Sequence, residues 1–183
     1  MIFLYKGGHM DLERNIYDTV KEWEIKIGYR KEELRLYYPE ESLLELLCTD
    51  SVELPLKIKE FCCQMKGKLG DIEIKETEER GRYCVKIPPE GTQYIHKNIP
   101  ENVFLKALLR VITTPDKKLE DALKVFQSFS KKVSVDKETK SEWAVWFTDG
   151  NPDVYVYYIE EDAFGLEYHR FTKEAYARLK EEK

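Results

Sequence analysis

Cys84 and His96 are the residues from which covalent chemistry could start. A thiolate beside an imidazole is an activated nucleophile. Cys84 sits in the alternating run 83–87, and Pro88-Pro89-Glu90-Gly91 forms a turn that can return His96 alongside it. His169 offers a second acid–base group and Tyr94 a polar hydroxyl. Together Cys84, Tyr94, His96 and His169 describe a small-molecule pocket between two β segments. Against that reading, Cys84 is out of phase with Tyr83, Val85 and Ile87, and no oxyanion-hole motif accompanies it. A strand cysteine and a surface histidine without joint chemistry is the competing reading.

Other groupings are weaker as chemistry. Zinc asks for three or four converging ligands at spacings such as C-x-x-C. Here Cys62 and Cys63 are adjacent, and the chain has 3 histidines. We expect no metal and no cofactor, with Cys48, Cys62, Cys63 and Cys84 reduced and packed as small apolar residues. Asp149, Asp153 and Glu160-Glu161-Asp162 gather at turns, where carboxylates can meet a hard cation. They lack EF-hand spacing, so a solvated acidic turn is the expectation. Lys66-Gly67-Lys68-Leu69-Gly70 lacks the phosphate-loop pattern and does not follow a strand. It reads as a helix C-terminus, where lysines suit the macrodipole.

The most unusual feature is aromatic. Trp143, Val145 and Phe147 share one face of a strand, with Trp146 on the other. Tyr155 and Tyr157 align with Ile159, while Val156 and Tyr158 point the opposite way. Either helices cover both faces of this sheet or one face presents Trp and Tyr as an interface anchor. Base stacking would need a basic groove beside the aromatics. Asp153, Glu160, Glu161, Asp162 and Glu167 have the wrong sign, so a nucleic-acid partner is not expected.

The elements that must position these residues follow from periodicity. Leu12, Ile16, Val20, Trp23 and Ile27 recur at helical spacing up to Gly28. Pro39-Glu40-Glu41-Ser42 opens a second helix, and Leu54, Ile58, Phe61, Met65 and Leu69 mark a third. Ile72 and Ile74, then Tyr83, Val85 and Ile87, alternate around Glu79-Arg80-Gly81 as a hairpin. Residues 93–97 read as a third short strand. Helices follow over 100–112 and from Asp116 to Phe129. The segments 142–148, 153–159 and 164–171 form a three-strand meander, and Thr172 caps a last helix. The class is α+β, a single domain with a mainly antiparallel sheet, hairpin plus meander, packed by about six helices. A lobe boundary is expected near 88–100. The expected core holds Leu12, Ile16, Trp23, Leu43, Leu47, Phe61, Phe104, Leu108, Phe126 and Phe147.

The chain has 183 residues, 42% hydrophobic and 36% charged, with a net charge of −5. That composition supports one globular domain with a densely charged surface. The acidic balance opposes sequence-independent nucleic-acid binding. No apolar run reaches the roughly 20 residues of a membrane span. With free cysteines, this gives a cytoplasmic protein and no membrane partner. Lys6-Gly7-Gly8-His9-Met10 back-translates to a purine-rich ribosome-binding sequence followed by a start codon. Residues 1–9 are therefore expected to be translated leader, the alternative being a short strand over residues 2–5.

The stretch Tyr83-Cys84-Val85-Lys86-Ile87-Pro88-Pro89-Glu90-Gly91 through Tyr94-Ile95-His96, with Tyr168-His169-Arg170-Phe171-Thr172-Lys173-Glu174, resembles a family of small uncharacterised bacterial proteins, a domain-of-unknown-function family. The resemblance covers the C-terminal half and implies a bacterial setting and no activity. From the residues themselves the first expectation is a non-enzymatic protein that binds a protein partner or itself. Its surface would be Trp143, Trp146, Tyr155, Tyr157, Glu160 and Glu161, with Asp162. The alternative is a ligand-binding protein or enzyme using Cys84, His96 and His169.

Overall fold

A computed structural model describes residues 11–182. The leader and the strand considered for residues 1–9 lie outside them. The fold is α+β, with seven helices and two antiparallel sheets among the described residues. Its contacts divide into two compact units that meet in sequence at Asn102 and Val103.

In the first unit, α1 (Leu12–Ile27) begins at Asp11, whose carboxylate accepts from the Arg14 N–H at 2.8 Å. Strand β1 (Leu34–Pro39), α2 (Glu40–Leu46), α3 (Leu54–Leu69), β2 (Glu73–Glu76), β3 (Arg82–Ile87) and α4 (Pro89–Asn98) follow. The sheet has the order β1-β3-β2, so the expected hairpin gains a third strand. Leu-Arg-Leu-Tyr-Tyr-Pro of β1 alternates as a half-buried strand should: Leu36 and Tyr38 are buried, while Arg35 and Tyr37 are exposed. Leu36 and Ile74 both pair with Val85, which gives the sheet one apolar face. The phosphate-loop-like stretch is the end of α3, closed by Gly70 at φ 71.

Helix α4 corrects the strand expected at 93–97. Pro89 stands in the first turn, where its missing N–H costs nothing. Gly91, Thr92 and Ile95 then form one buried row at helical spacing. A side chain at Gly91 would sit 2.6 Å from the Leu69 carbonyl, so glycine lets α4 lie close against the end of α3. The buried Thr92 hydroxyl donates to the Glu32 carbonyl at 3.1 Å, which ties α4 to the segment leading into β1.

The second unit runs α5 (Val103–Ile112), α6 (Leu119–Phe129), β4 (Val133–Lys137), β5 (Glu142–Phe147), β6 (Val156–Asp162), β7 (Gly165–Phe171) and α7 (Lys173–Glu181). The meander has four strands in sequential order, β4 being added to the expected three. Helices cover both faces. Phe104 of α5 and Phe126 of α6 pack edge-to-face at 4.7 Å, and Phe104 meets Phe147 at 4.9 Å and Tyr157 at 5.6 Å. On the other face Ala144, Val156 and Tyr158 pack with Tyr176 of α7, joined by half-buried Trp146, Phe171 and Leu179.

The expected core holds at Leu12, Ile16, Leu43, Phe61, Phe104, Leu108, Phe126 and Phe147. Leu47 is half-buried, its neighbour Leu46 being the buried residue. Trp23 is the clear correction, at 45% exposure. Beyond Val20 the buried face of α1 turns from the Trp23–Ile27 row toward the row of Tyr17, Lys21 and Glu24. Helix α4 packs along that row, with Tyr17 and Tyr94 rings 6.5 Å apart.

Candidate functional site

The same rotation of α1 buries charge. Lys21 is 7% exposed, although it occupies a helix position where an apolar residue would be at home. Its stem packs under α4, and its ammonium donates to Glu24 Oε2 at 2.8 Å and to the His96 carbonyl at 3.4 Å. His96, in the last turn of α4, places Nδ1 3.3 Å from the same Glu24 oxygen. Glu24 Oε2 therefore has two partners. Glu24 Oε1 is out of contact with water and has no hydrogen-bond partner.

Tyr29 completes the wall. The chain leaves α1 through Gly28, at φ 81 and ψ 160, a region that only glycine occupies without strain. This sharp exit lays the Tyr29 ring on the His96 ring, 3.8 Å apart and 11° from parallel. A cavity of about 330 Å³ opens here, with Lys21, Glu24, Tyr29 and His96 as its polar and aromatic walls and Ile25, Ile99 and Glu101 completing it. A smaller hollow on the other side of Glu24 and Tyr29 is lined by Val20, Trp23 and Leu34. A further concavity of about 450 Å³ lies over Leu12, Phe61 and Met65. There Glu13 and Lys68 already satisfy each other at 2.6 Å.

The residues expected to do chemistry are dispersed. His96 is in the cavity wall, and Tyr94 packs on Tyr17 beside it. Cys84 is half-buried on the sheet face opposite Val85, paired across strands with Tyr37 and Lys75, and does not line the cavity. His169 is on β7 of the second unit, exposed and tilted against Phe171 at 6.4 Å. The partners of His96 are Glu24 and Tyr29. Lys21, Glu24 and Tyr29 were missed by sequence reasoning. For Lys21 and Glu24 the signal was the row 17, 21, 24 and 28, which runs beside the apolar stripe of α1 at helical spacing, and Tyr29 lies outside it.

The aromatic surface is corrected outright. Trp143, Tyr155 and Tyr157 are buried, at 5%, 3% and 0% exposure, and belong to the core. Trp146 is half-buried against Tyr176, ring centroids 6.2 Å apart. The acidic turn does structural work. Glu161 accepts from the Leu119 N–H at 3.1 Å and from the Lys118 ammonium at 2.7 Å, so it caps the N-terminus of α6. Lys118 and that N–H hold the Glu161 carboxyl below its ordinary range. Buried Asp153 accepts from the Tyr155 N–H at 3.0 Å and the Tyr157 hydroxyl at 3.1 Å. Asp149 pairs with Lys132 at 3.1 Å, and Asp162 holds the turn at Phe164 and Gly165. Glu160 lies across from Glu142 and Glu167.

Among the described residues no three His, Cys, Asp or Glu side chains gather as metal ligands, and no helix is long and apolar enough to cross a membrane. Cys48, Cys62, Cys63 and Cys84 are free thiols. Burial pushes the Cys62 thiol up from its ordinary value.

Comparison with curated proteins and with solved structures returned no match. A match to a protein family covers residues 9–180. The chain belongs to the family described as "Domain of unknown function, E. rectale Gene description (DUF3877)".

Proposed function

We propose that the protein binds a small polar molecule in the cavity walled by Lys21, Glu24, Tyr29 and His96. The observation that carries this is a cavity of about 330 Å³ on whose wall Glu24, bonded to Lys21 and facing His96, converges with the stacked Tyr29 and His96 rings. Convergent polar groups fix the orientation of a ligand, and here Ile25 and Ile99 add apolar contact beside them. This reading keeps His96 from the sequence expectation and sets aside Cys84 and His169. The free thiols support a reducing, cytoplasmic setting.

Native mass spectrometry of the protein from its own cells tests the proposal. A reproducible mass excess of small-molecule size, lost when Ile99→Trp fills the cavity, is the expected result. A bare chain, or an excess that Ile99→Trp leaves in place, refutes the site.

A second reading, self-association, is favoured by a separate observation. Trp23 and Ile27, one helical turn apart, are 45% and 52% exposed. An apolar stripe of this kind is complementary to itself across a two-fold axis. Sedimentation of the wild type and Trp23→Ala decides: a dimer lost in the variant supports it, and a monomer in both refutes it.

A further inference from the structure

Two exposed surfaces match one another in chemistry, and neither belongs to the cavity or to the Trp23 stripe. We propose that the turn carrying Phe164 in one copy of the chain docks on the open face of the β1-β3-β2 sheet in a second copy.

The first surface is the turn between β6 and β7. Phe164 is 97% exposed there. The turn is nevertheless fixed, because the Asp162 carboxylate accepts from the Phe164 N–H at 2.7 Å and from the Gly165 N–H at 3.0 Å. An aromatic side chain offered on a fixed turn has little freedom left to lose when a partner buries it. Behind the turn, Glu142, Glu160 and Glu167 stand directly opposite one another on three neighbouring strands. Like charges placed that way weaken a sheet, and cations brought from outside relieve the repulsion. Among the described residues no lysine or arginine pairs with Glu160 or Glu167. Lys140 is in the adjoining turn, joined here through the Glu161 N–H and the Ser141 carbonyl, and the end of the sheet stays acidic with it counted.

The second surface is the face of the first sheet that turns away from Val85. The register places Arg35 and Tyr37 of β1, Arg82, Cys84 and Lys86 of β3, and Lys75 of β2 on it. Tyr37 is 52% exposed, and the Arg82 guanidinium stands 5.1 Å from its ring centre. Directly across from Tyr37 is the smaller Cys84, so the flank of the tyrosine ring is open ground for a second ring. Arg35, Lys75, Arg82 and Lys86 are paired with Glu33, Glu73 and Glu79. These are exposed pairs, each worth little, so their cations can also serve carboxylates that another copy brings.

An exposed aromatic among carboxylates thus faces an exposed aromatic among cations. Phe164 and Tyr37 are both open within a single chain, so covering them takes a second molecule. Another copy supplies both halves of the match at once. The contact joins unlike surfaces, and such contacts either close into a ring or continue from copy to copy.

The test is sedimentation velocity of the full chain over a concentration series. The wild type should self-associate at low ionic strength, and salt should weaken the association severalfold as exposed charges are screened. Phe164→Ser and Tyr37→Ser should each weaken it at least about tenfold, the order expected when an aromatic ring is left in water. Phe164→Ser keeps an intact sheet face and Tyr37→Ser an intact turn. Their equimolar mixture should therefore form a one-to-one complex that neither variant forms alone. As a second check, Glu160→Lys with Glu167→Lys should abolish self-association, and mixing with a Lys75→Glu, Lys86→Glu chain should restore it.

A wild type that stays monomeric overturns the proposal, as does association unchanged in either serine variant. A mixture that stays monomeric after both variants have lost association shows that the two surfaces do not meet each other. Trp23→Ala should leave this association in place. Association lost in Trp23→Ala and kept in Phe164→Ser assigns the contact to α1 and refutes the one proposed here.

Discussion

Replacing Lys21 by methionine keeps the stem that packs under α4 and removes only the ammonium. Glu24 would then hold a carboxylate with one unpartnered oxygen and one oxygen facing only His96 Nδ1 at 3.3 Å. Removing one member of a buried ion pair costs about 3–5 kcal/mol, because the other charge stays behind. The Glu24 side chain is 14% exposed and stands at a cavity wall, so water can relieve part of that cost. We therefore expect about 2–3 kcal/mol, at the low end of that range or just under it. Amide hydrogen exchange along α1 reads this directly, since the slowest amides report the opening of the unit that contains them. Their protection should fall by about 30- to 150-fold, a tenfold change corresponding to about 1.4 kcal/mol. The double variant Lys21→Met with Glu24→Leu should recover most of the loss, because an apolar pair of similar volume replaces a buried ion pair at little or no cost. A loss below about threefold in the single variant, or a double variant worse than the single, would show that Lys21 and Glu24 are not coupled as a buried pair.

Four further outcomes are expected. Gly28→Ala should destabilise by about 1–3 kcal/mol although nothing stands within 4 Å of the added Cβ, because φ 81 with ψ 160 is closed to side chains; an unchanged melting temperature would contradict this. Tyr157→Ala should cost about 3–5 kcal/mol in urea unfolding, as a fully buried aromatic, and a loss under 1 kcal/mol would return it to the surface. Glu161→Gln should cost about 1 kcal/mol at neutral pH through the weakened cap of α6. The folded carboxyl is held low, so its contribution is complete above the ordinary glutamate range and is lost as pH falls through the lowered value; the gap between variant and wild type should close in acid, and a gap that persists there would rule out the charge as its source. Maleimide should label exposed Cys48 and Cys63 before Cys62, whose thiol is half-buried and held protonated; peptide mapping that finds Cys62 first would be inconsistent with this packing.

Much of the fold was legible because its signals are local. The helical rows of α1, α3, α5 and α6 and the alternation of β3, β5 and β6 are each complete within a dozen or so residues. Two errors share a cause. Residues 93–97 look like strand, and Pro88-Pro89 looks like a break, until Pro89 is placed in the first turn of a helix and Gly91 against the Leu69 carbonyl. That close approach is a tertiary fact, and it decides between two local readings of nearly equal merit. Strand β1, in contrast, carries its alternation openly in Leu34, Leu36 and Tyr38.

The site was less legible than the fold, for a physical reason. Sequence reasoning looks for polar residue types that are unusual in themselves, which led to Cys84, His96 and His169 and to the aromatic strands. What sets the cavity apart is ordinary residues in unusual places. A lysine and a glutamate three positions apart on a charged helix read as a solvated pair, of the kind worth little to stability. They become a buried pair only because α4 lies along the row from Tyr17 to Glu24 rather than along the row from Val20 to Ile27. That choice also leaves Trp23 and Ile27 in the open. The same packing decision thus accounts for an aromatic outside the core, a lysine inside it and a carboxylate oxygen without a partner. The first two are visible in any measure of exposure. The third is the polar cost of that packing, a carboxylate oxygen closed off from water without a donor.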